Sequence, residues 1–490
     1  MDFQQIISAA QAEVLKVLGN NASADDVKKA TIYLTNAQYG VSLEAPAKQL
    51  VPYLPTWAQN IPREVVPTGN AHTYKRITKV TITGKSTAAE GTRGNAASIT
   101  CDAPSVAFGV ISSGVFDVSL EAEKAAGTFD DLLARAPTNA LLLGRRNEAA
   151  HILGGTVTAL GACTTIALAD NGATPVTTFT AIPYYLNVKA LTGPAMQKAI
   201  IAGACSLPAT TTKVMTPVLA NVDQTDGWGV EGTQATVTPT ATHSLLASWD
   251  PNPKAAGYGV FLGTTTGIAN LKLVGVTNQC SVVLGAVANT SSDVAVTGDT
   301  SADANDFIGF IGLINASGSG AYLKNVGAAL SAAVGNGIPE IDDALASVYN
   351  SALGIDDIDL IMGTQTRAQI TRKLGAGSAT TLFRIGLPVG PENTFAGGAF
   401  ANKYVHPITG RLLNIITDPT LFDGVILGKA NTIPYPMAEV PAPLKMWLSY
   451  DWLNLTYAVV NPKREYENRM RGGLAVYLPP ACLELYNIWN

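Results

Sequence analysis

The hydrophobic pattern of this chain is most regular between residues 335 and 374. Apolar residues recur there at steps of three and four, which places them on one face of a helix: Ile338, Ile341, Leu345 and Val348. Pro339 suits the first turn of such a helix, and Gly354 is a typical stop. The apolar run Ile358–Met362 then predicts a buried strand, and residues 366–374 predict a second helix. This helix–strand–helix block carries no catalytic motif.

The N-terminal part of the chain changes pattern near residue 50. Residues 2–19 predict an amphipathic helix, and a second helix is predicted after Ser23. Residues 50–67 contain four prolines together with Tyr53 and Trp57, which predicts an extended arm. Such an arm cannot bury its aromatic side chains alone, so it must lie on another surface of its own chain or of a neighbour.

A protruding β-hairpin is predicted after the arm. Residues 74–86 alternate between apolar and polar positions, and a second alternating run covers residues 106–118. A segment rich in glycine and small residues lies between them and suits the tip. Because long hairpins are only marginally stable alone in water, this one also implies a partner surface.

A long helix and a β-rich segment follow the hairpin. Residues 128–155 predict the helix, with a kink or restart at Pro137 and an end at Gly154–Gly155. Residues 156–304 are rich in Thr, Ala, Val and Gly, and their short alternating runs predict a β-sandwich. Residues 195–204 are the helical exception. Mixed helices and strands return at Phe307, so the sandwich interrupts an α+β host.

Composition narrows the class of protein. The chain has 490 residues, of which 47% are hydrophobic and only 14% charged, and its net charge is −5. These values exclude a disordered chain and predict extensive burial, either internally or against partners. No basic run predicts tight binding to nucleic acid. The N-terminus lacks a signal-peptide pattern and no apolar stretch is long enough for a membrane span, so we expect a soluble protein made in a cytoplasm.

The cysteines show no metal-binding pattern. Their count is odd and their spacing wide: Cys101, Cys163, Cys205, Cys280 and Cys482. No pair forms a CxxC or Cys/His zinc motif, so we expect buried free thiols. The sequence leaves open a disulfide within the middle group of three.

Other candidate chemical motifs fail in their context. Gly227, Gly229 and Gly232 match G-x-G-x-x-G, but β-prone residues follow them where a dinucleotide site needs a helix. Residues 424–430 resemble a phosphate loop that is one residue short. The four histidines are scattered through the chain. The oxygen-rich residues 299–306 predict a domain-junction loop rather than a calcium site, and the acidic residues 356–359 predict a solvated turn rather than a catalytic pair. We therefore expect no enzyme activity and no cofactor.

Short motifs in a fixed order carry a family resemblance, and they lie at residues 74–78, 90–94, 128–155, 307–312, 320–322, 340–343, 364–365, 404–410, 427–428, 434–436 and 472–473. Together they resemble the major capsid proteins of tailed bacteriophages, which have the Hong Kong-type capsid fold. Within that family the chain is similar to a subfamily with an inserted immunoglobulin- or fibronectin-type-III-like domain. The likeness of the insert rests on Trp249, Asp250, Pro251 and Tyr258.

The resemblance implies an α+β fold in seven segments. These are an N-terminal arm (1–70), an extended E-loop hairpin (71–120), a peripheral domain with a long spine helix (121–155), an inserted all-β sandwich (156–304), a second peripheral segment (305–355), an axial domain (356–440) and peripheral return strands (441–490). The candidate inter-subunit residues lie in the arm and the hairpin: Tyr53, Trp57, Arg76, Lys85, Glu90 and Arg93.

The resemblance also implies a function. Such a protein self-assembles into hexamers and pentamers of an icosahedral shell that encloses double-stranded DNA. The implied partners are further copies of the chain, scaffold, decoration or cement and portal proteins, and packaged DNA in non-specific contact, with no membrane. The location implied is the virion, assembled in the cytoplasm of a host bacterium. The inserted domain is expected to project outward for decoration, stabilisation or binding to the host surface.

The alternative is an extracellular adhesin or glycoside-active enzyme with a fibronectin-III-like module that binds carbohydrate. The missing signal-peptide pattern and the lack of a recognisable pair of catalytic carboxylates count against it. Trp228 and Trp249 are aromatic candidates for stacking on sugars, but Trp249 fits a sandwich core better.

Overall fold

The protein is described from a computed structural model of the chain. The described residues are 56–66, 69–82, 87, 90–92, 97–121, 132–176, 178–208, 212–215, 222–285, 294–331, 337–351, 354–376, 403–418, 421–433, 442–457 and 462–489. The helices predicted over residues 2–19 and after Ser23 lie outside these ranges. The fold is α+β, and its helices are α1 (Thr56–Gln59), α2 (Leu132–Gly154), α3 (Gly193–Ile201), α4 (Phe310–Ile314), α5 (Pro339–Ser351) and α6 (Thr364–Ala376).

Short strands make up most of the remaining regular structure. Numbered along the chain, they are β1 (Arg63–Val65), β2 (Ala71–Thr73), β3 (Arg76–Ile82), β4 (Ala97–Asp102), β5 (Ser105–Ala107), β6 (Gly109–Ser112), β7 (Phe116–Ser119), β8 (Ala167–Asp170), β9 (Tyr184–Leu191), β10 (Val214–Met215), β11 (Ala235–Val237), β12 (Leu245–Ser248), β13 (Gly257–Gly263), β14 (Lys272–Thr277), β15 (Ser281–Leu284), β16 (Tyr322–Asn325), β17 (Ile358–Met362), β18 (Lys403–Val405), β19 (Leu412–Thr417), β20 (Ile426–Ala430), β21 (Leu444–Thr456), β22 (Lys463–Val476) and β23 (Leu483–Tyr486).

The chain divides into two compact units. The described residues of the first unit fall within Ser112–Gly144 and Leu453–Arg469. Those of the second unit fall within Pro55–Ile111, Arg145–Trp452 and Met470–Asn490.

The first unit is held by strand pairing and one buried carboxylate. Strand β7 pairs antiparallel with the start of β22, so that Phe116 lies opposite Tyr466. The Glu467 carboxylate is buried and accepts hydrogen bonds from the hydroxyls of Ser112 and Tyr457. A buried carboxylate needs such donors, because burying an ion without them costs on the order of several kcal/mol.

Helix α2 runs through Pro137 without a break. The helix therefore does not restart at that residue. Pro137 lies in the second turn, where its missing N–H removes one helical hydrogen bond, and Asn468 Nδ2 donates to its carbonyl oxygen at 3.0 Å. The predicted end of this helix at Gly154 is confirmed.

The strongly patterned block near residue 340 folds as predicted. Helix α5, strand β17 and helix α6 follow in order, and the predicted apolar face of α5 is buried. Gly354 ends this block's first helix with a φ of 84°, and its N–H donates to the Tyr349 carbonyl at 2.9 Å. That left-handed conformation is one that glycine adopts without strain.

Strand β17 lies in the middle of a six-stranded sheet. The strand order is β16-β23-β20-β17-β19-β18. Leu345 and Val348 of α5 pack with Leu360 of β17 and Leu485 of β23 in one hydrophobic cluster. The sheet therefore combines strands from residues 356–440 with β16 and β23, which come from flanking segments of the chain.

The middle segment, residues 156–304, contains two four-stranded sheets. We call β11-β9-β13-β14 the inner sheet and β10-β15-β12-β8 the outer sheet. Side chains of both sheets share one hydrophobic cluster, with Val188 and Val260 from the inner sheet and Leu245 and Val282 from the outer sheet. The strands predicted in this segment are therefore present in these two sheets.

The inner sheet is also buried on its second face. Phe261 and Leu273 of that face belong to a cluster that includes Ile152 of α2, Phe307 and Phe422. Helix α3, predicted as the exception in this segment, packs in the same cluster. The inner sheet is thus a central layer between the outer sheet and residues of the host part of the chain.

The predicted hairpin exists, but its second strand differs. Strands β3 and β4 pair antiparallel from Arg76 opposite Asp102 to Ile82 opposite Ala97. The flanking strands β2 and β5, which precede β3 and follow β4, also pair antiparallel with each other. The prediction that residues 106–118 form the return strand is wrong, because β4, which precedes Pro104, pairs with β3 instead. The run itself falls into the separate strands β5, β6 and β7, with Gly114 between the last two. Alternation alone does not show where one strand ends and the next begins.

The α5 packing gives a stability prediction. Leu345→Ala should lower the free energy of unfolding by about 2–5 kcal/mol, because the lost side chain is fully buried and leaves a cavity. Leu323→Ala, at a position that is 37% exposed, is the matched control and should cost much less. Urea denaturation of the three proteins measures both values, and equal losses would contradict the packing described here.

Candidate assembly surface

Only some of the predicted inter-subunit residues lie within the described part of the chain. Tyr53, Lys85 and Arg93 lie outside the described residues. Glu90 is exposed in a turn. Arg76 begins β3 opposite Asp102, and its role between subunits stays a prediction.

Trp57 requires a correction. It lies in α1 with only 2% of its surface exposed, packed in the cluster that contains Ile152 and Phe422. Its Nε1 donates to the buried Asp418 carboxylate at 2.8 Å. A buried indole with a satisfied N–H belongs to its own core. Trp57 therefore fixes the end of the arm to its own chain rather than to a neighbour.

A buried carboxylate ties β1 to the long helix. The side chain of Glu148 in α2 is 2% exposed and pairs with Arg63 of β1. Arg145 lies 3.4 Å from the same carboxylate, and Trp452 Nε1 donates to it at 3.2 Å. Burial raises the pKa of Glu148, while the two arginines and the indole oppose that rise. Arg63 also pairs with Asp451 at 3.1 Å, on the exposed side.

An aromatic cluster lies at the foot of the hairpin. The imidazole of His72 in β2 stacks on Trp447 with 4.0 Å between ring centroids, and Lys445 Nζ lies 4.1 Å from the same indole. Trp447 Nε1 donates to Tyr477 Oη at 3.0 Å. Burial, followed by the Lys445 charge, lowers the pKa of His72, with Glu64 opposing. We call β2 and β5, together with these aromatic residues, the stem of the hairpin. The contacts with Trp447 hold the stem in place, and the β3–β4 hairpin extends beyond it.

The junction of the middle segment is built around Asp306. Its carboxylate contacts His151 Nδ1 at 2.8 Å and accepts from the backbone N–H groups of Thr156 at 3.1 Å and Phe307 at 2.7 Å. Burial lowers the pKa of His151, but the carboxylates of Asp306, Asp226 and Asp303 together outweigh it, so the pKa is raised. A Cβ at Gly155 would lie 2.7 Å from Asp306 Oδ2, so only glycine fits there. The entry and exit of the middle segment are joined by this one side chain.

The motifs considered for other chemistry have structural roles. In the ranges described, no three His, Cys, Asp or Glu side chains come together as a metal-binding group. Gly227 has a φ of 84° in a turn, and strand β11 rather than a helix follows the glycine motif. Cys163, Cys280 and Cys482 are buried free thiols, which confirms the expectation for these three. Cys205 is also a free thiol but is exposed, so the expected burial is wrong there.

The two tryptophans considered for sugar stacking are buried. Trp228 is fully buried against Phe261, with 5.7 Å between ring centroids. Trp249 is 4% exposed and packs against Tyr258 in the cluster between the two sheets, as the sequence predicted for a core residue. A Cβ at Gly259 would lie 2.2 Å from the Trp228 ring, so that glycine makes room for the indole. Neither ring is available to a carbohydrate.

Sequence reasoning missed the residues that organise these sites. Glu148, Asp306 and Asp418 are buried acids, but in the sequence each looks like an ordinary surface charge. Glu148 follows Arg145, Arg146 and Asn147, so nothing in the sequence marks it as buried. Asp306 had a signal, since it lies in the loop predicted as a domain junction. Among the described residues, no helix combines the length and the apolar character that crossing a membrane requires.

Comparison with known proteins gives structural matches only. No family model matches the sequence, and neither does any curated protein. The capsid of an empty GTA particle is 11% identical over 95% of this chain and 100% of that chain, with a TM-score of 0.39. The capsid of Myoviridae phage XM1 is 11% identical over 92% of this chain and 99% of that chain, with a TM-score of 0.39.

An encapsulin also matches. The SrpI encapsulin from Synechococcus elongatus PCC 7942 is 9% identical over 95% of this chain and 96% of that chain, with a TM-score of 0.37. The match to a virus-like particle from Pyrococcus furiosus covers only 35% of this chain and 57% of that chain, with a TM-score of 0.21. The three matches that cover most of this chain are to two capsid proteins and one encapsulin.

The Glu148 network gives a second prediction. Glu148→Ala should lower the free energy of unfolding by about 3–5 kcal/mol, because it leaves Arg63 without its buried partner. Asp451→Ala removes the exposed partner of the same arginine and should cost only about 0–1 kcal/mol. Thermal unfolding of both variants measures the difference. Similar losses would mean that Glu148 does not hold Arg63 as described.

Proposed function

We propose that this chain is a structural protein that assembles into closed shells, as a major capsid protein of the Hong Kong type. The observation that carries the proposal is the β3–β4 hairpin. Within the described residues, these two strands pair with each other and with no third strand. A two-stranded ribbon is marginally stable alone in water. A shell of repeating subunits supplies the missing surface, because each copy offers it to the next.

Two further features support the same proposal. The chain carries only 14% charged residues, a low value that suits a protein with much of its surface in contact with neighbours. The hairpin rises from an anchored stem, in which Trp447 holds His72 and Tyr477. A fixed stem and an extended two-stranded hairpin suit a contact made at a distance from the subunit's own core. The proposed contact residues of the hairpin are Arg76, Lys85, Glu90 and Arg93. Tyr53 is the proposed contact residue of the N-terminal arm.

We further propose that the shell encloses double-stranded DNA in a phage virion assembled in a bacterial cytoplasm, with scaffold, cement and portal proteins as partners. An encapsulin-type compartment is the competing kind of shell. The resemblance of the residues outside 156–304 to phage capsid proteins supports the phage assignment. Nuclease-protected DNA inside particles purified from the natural source would distinguish the two, since an encapsulin-type compartment would yield none.

The assembly prediction uses particle size. We expect the purified chain, alone or with a co-expressed scaffold, to form shells, tubes or rings of five and six subunits. Negative-stain electron microscopy and light scattering on one sample measure this. Glu90→Lys should reduce the yield of particles several-fold without changing thermal unfolding of the free subunit, because Glu90 is exposed.

Glu121→Lys is the control for the assembly prediction, since it makes the same charge change at an exposed position outside the hairpin. A monomer or dimer under all conditions, including co-expression with scaffold, would overturn the proposed function. Equal particle yields from both variants would leave the shell intact but remove Glu90 from its contacts.

We propose that the middle segment is an inserted immunoglobulin-like sandwich that forms part of the subunit's core and is not a detachable decoration. The support is the inner sheet, whose second face packs with Ile152, Phe307 and Phe422 outside the segment. Only the outer sheet is then free for decoration or host binding.

Deleting residues 156–304 tests this role of the middle segment. With a short linker in their place, the chain should fail to give a soluble, cooperatively unfolding subunit, because the apolar partners of the inner sheet become exposed. Circular dichroism and calorimetry on the soluble fraction measure this. A shortened chain that unfolds cooperatively and still assembles would show that the segment is an accessory.

A further inference from the structure

The most unusual buried acid in the described chain is Glu484. It lies in β23, directly opposite Leu323 of β16 and Leu427 of β20. Only 2% of its surface is exposed. Its one hydrogen-bond donor is the amide of Asn315, whose Nδ2 lies 2.7 Å from Glu484 Oε2. No cation pairs with this carboxyl group among the described residues.

The side chain of Asn315 lacks a hydrogen-bond donor to its carbonyl oxygen. It caps the C-terminal end of α4, and its Nδ2 also donates to the Ile311 carbonyl at 2.9 Å. Its Oδ1 is buried and has no hydrogen-bond partner. A buried acceptor without a donor costs about 1–3 kcal/mol. The carboxyl group of Glu484 already accepts from Nδ2 of the same amide, and in its protonated form it has a donor to offer.

We propose that Glu484 is a neutral carboxylic acid in the folded protein and donates its proton to Asn315 Oδ1. The acid and the amide then form a cyclic pair, in which each group donates one hydrogen bond and accepts one. This pair satisfies the orphan acceptor and removes an uncompensated charge from the core at the same time. The pair also links β23 to the C-terminal end of α4 by hydrogen bonds, so this contact between sheet and helix depends on the proton of Glu484.

The surroundings favour the neutral form. Leu427, directly opposite, is apolar and fully buried. Lys429, two residues further along β20, is committed to Asp359 at 3.3 Å, and Lys324 of β16 pairs with Asp343. On its own strand, Tyr486 is the nearest titratable neighbour and brings no positive charge. Burial raises the pKa of Glu484 to about 8, with Asn315 opposing, in agreement with this geometry.

The sign of the pH dependence follows. An unfolded glutamate loses its proton near pH 4.5, whereas folded Glu484 keeps it up to about pH 8. The folded state therefore binds more protons than the unfolded state in this window, so stability falls as the pH rises through it. Below pH 4.5 both states are protonated and the full stabilisation is present. The contact between β23 and α4 therefore loses stability as the pH rises from 4.5 to about 8, whether or not the chain forms shells.

The test compares the full-length chain with Glu484→Gln. Glutamine has the same shape and can make the same cyclic pair without titrating. Between pH 4.5 and 8, the unfolding equilibrium constant of the wild-type protein should rise up to tenfold per pH unit relative to the variant. Glu121→Gln, an exposed acid, is the control and should follow the wild-type profile. Parallel profiles for wild type and Glu484→Gln would overturn the proposal.

Infrared spectroscopy tests the proton directly and needs no unfolding. The difference spectrum of wild type minus Glu484→Gln at pH 7 should contain the carbonyl band of a neutral carboxylic acid. Asn315→Ala should shift that band toward the position of an acid without a hydrogen-bond acceptor. A carboxylate band in place of the acid band would refute the neutral form, and an unshifted band in Asn315→Ala would refute the pair.

Discussion

Burial of the inner sheet on both faces is the constraint on which the rest of the second unit depends. Val188 and Val260 point to the outer sheet, and Phe261 and Leu273 point to the cluster shared with α2 and Phe307. A sheet with two buried faces needs a layer on each side. Residues before, within and after the middle segment must therefore fold together, although the chain enters and leaves that segment only once.

Buried acids fix the joints that this layering creates. Asp418 holds Trp57 of the arm, Glu148 holds Arg63 of β1, and Asp306 joins the entry and exit of the middle segment. Each carboxylate has donors that offset its desolvation, which makes it specific for one arrangement. Apolar contacts alone would tolerate small shifts between layers, whereas a directional hydrogen bond to a carboxylate does not.

Periodicity predicted the parts of the fold that are buried on one side. Helix α5 has a single apolar face, so its residues repeat at helical steps and its bounds could be predicted from sequence. The inner sheet behaves differently. Its strand β13 is buried at every position, and Gly259 makes room for Trp228, so no alternation marks its two faces. The strands could be predicted there, but the host contact of the sheet could not.

The candidate assembly residues show the same limit. An arm rich in proline and aromatic residues must lie on some surface, but sequence does not distinguish its own chain from a neighbour. Trp57 proved to be internal because Asp418, 361 residues away in the sequence, supplies its acceptor. The return strand of the hairpin was misplaced because alternation continues beyond Pro104. Contacts between distant residues decide both cases, and a single sequence contains no signal for them.

The two kinds of surface in this molecule therefore have different physical origins. The inner sheet is covered by its own chain, so its burial is complete in a single subunit. The β3–β4 ribbon has an anchored foot at Trp447 but no third strand among the described residues. A second copy is the partner that repetition in a shell would always provide, at a concentration set by the assembly itself. A chain with a closed core and an open ribbon has a stable fold of its own, and under the proposed function a neighbouring copy would cover the ribbon.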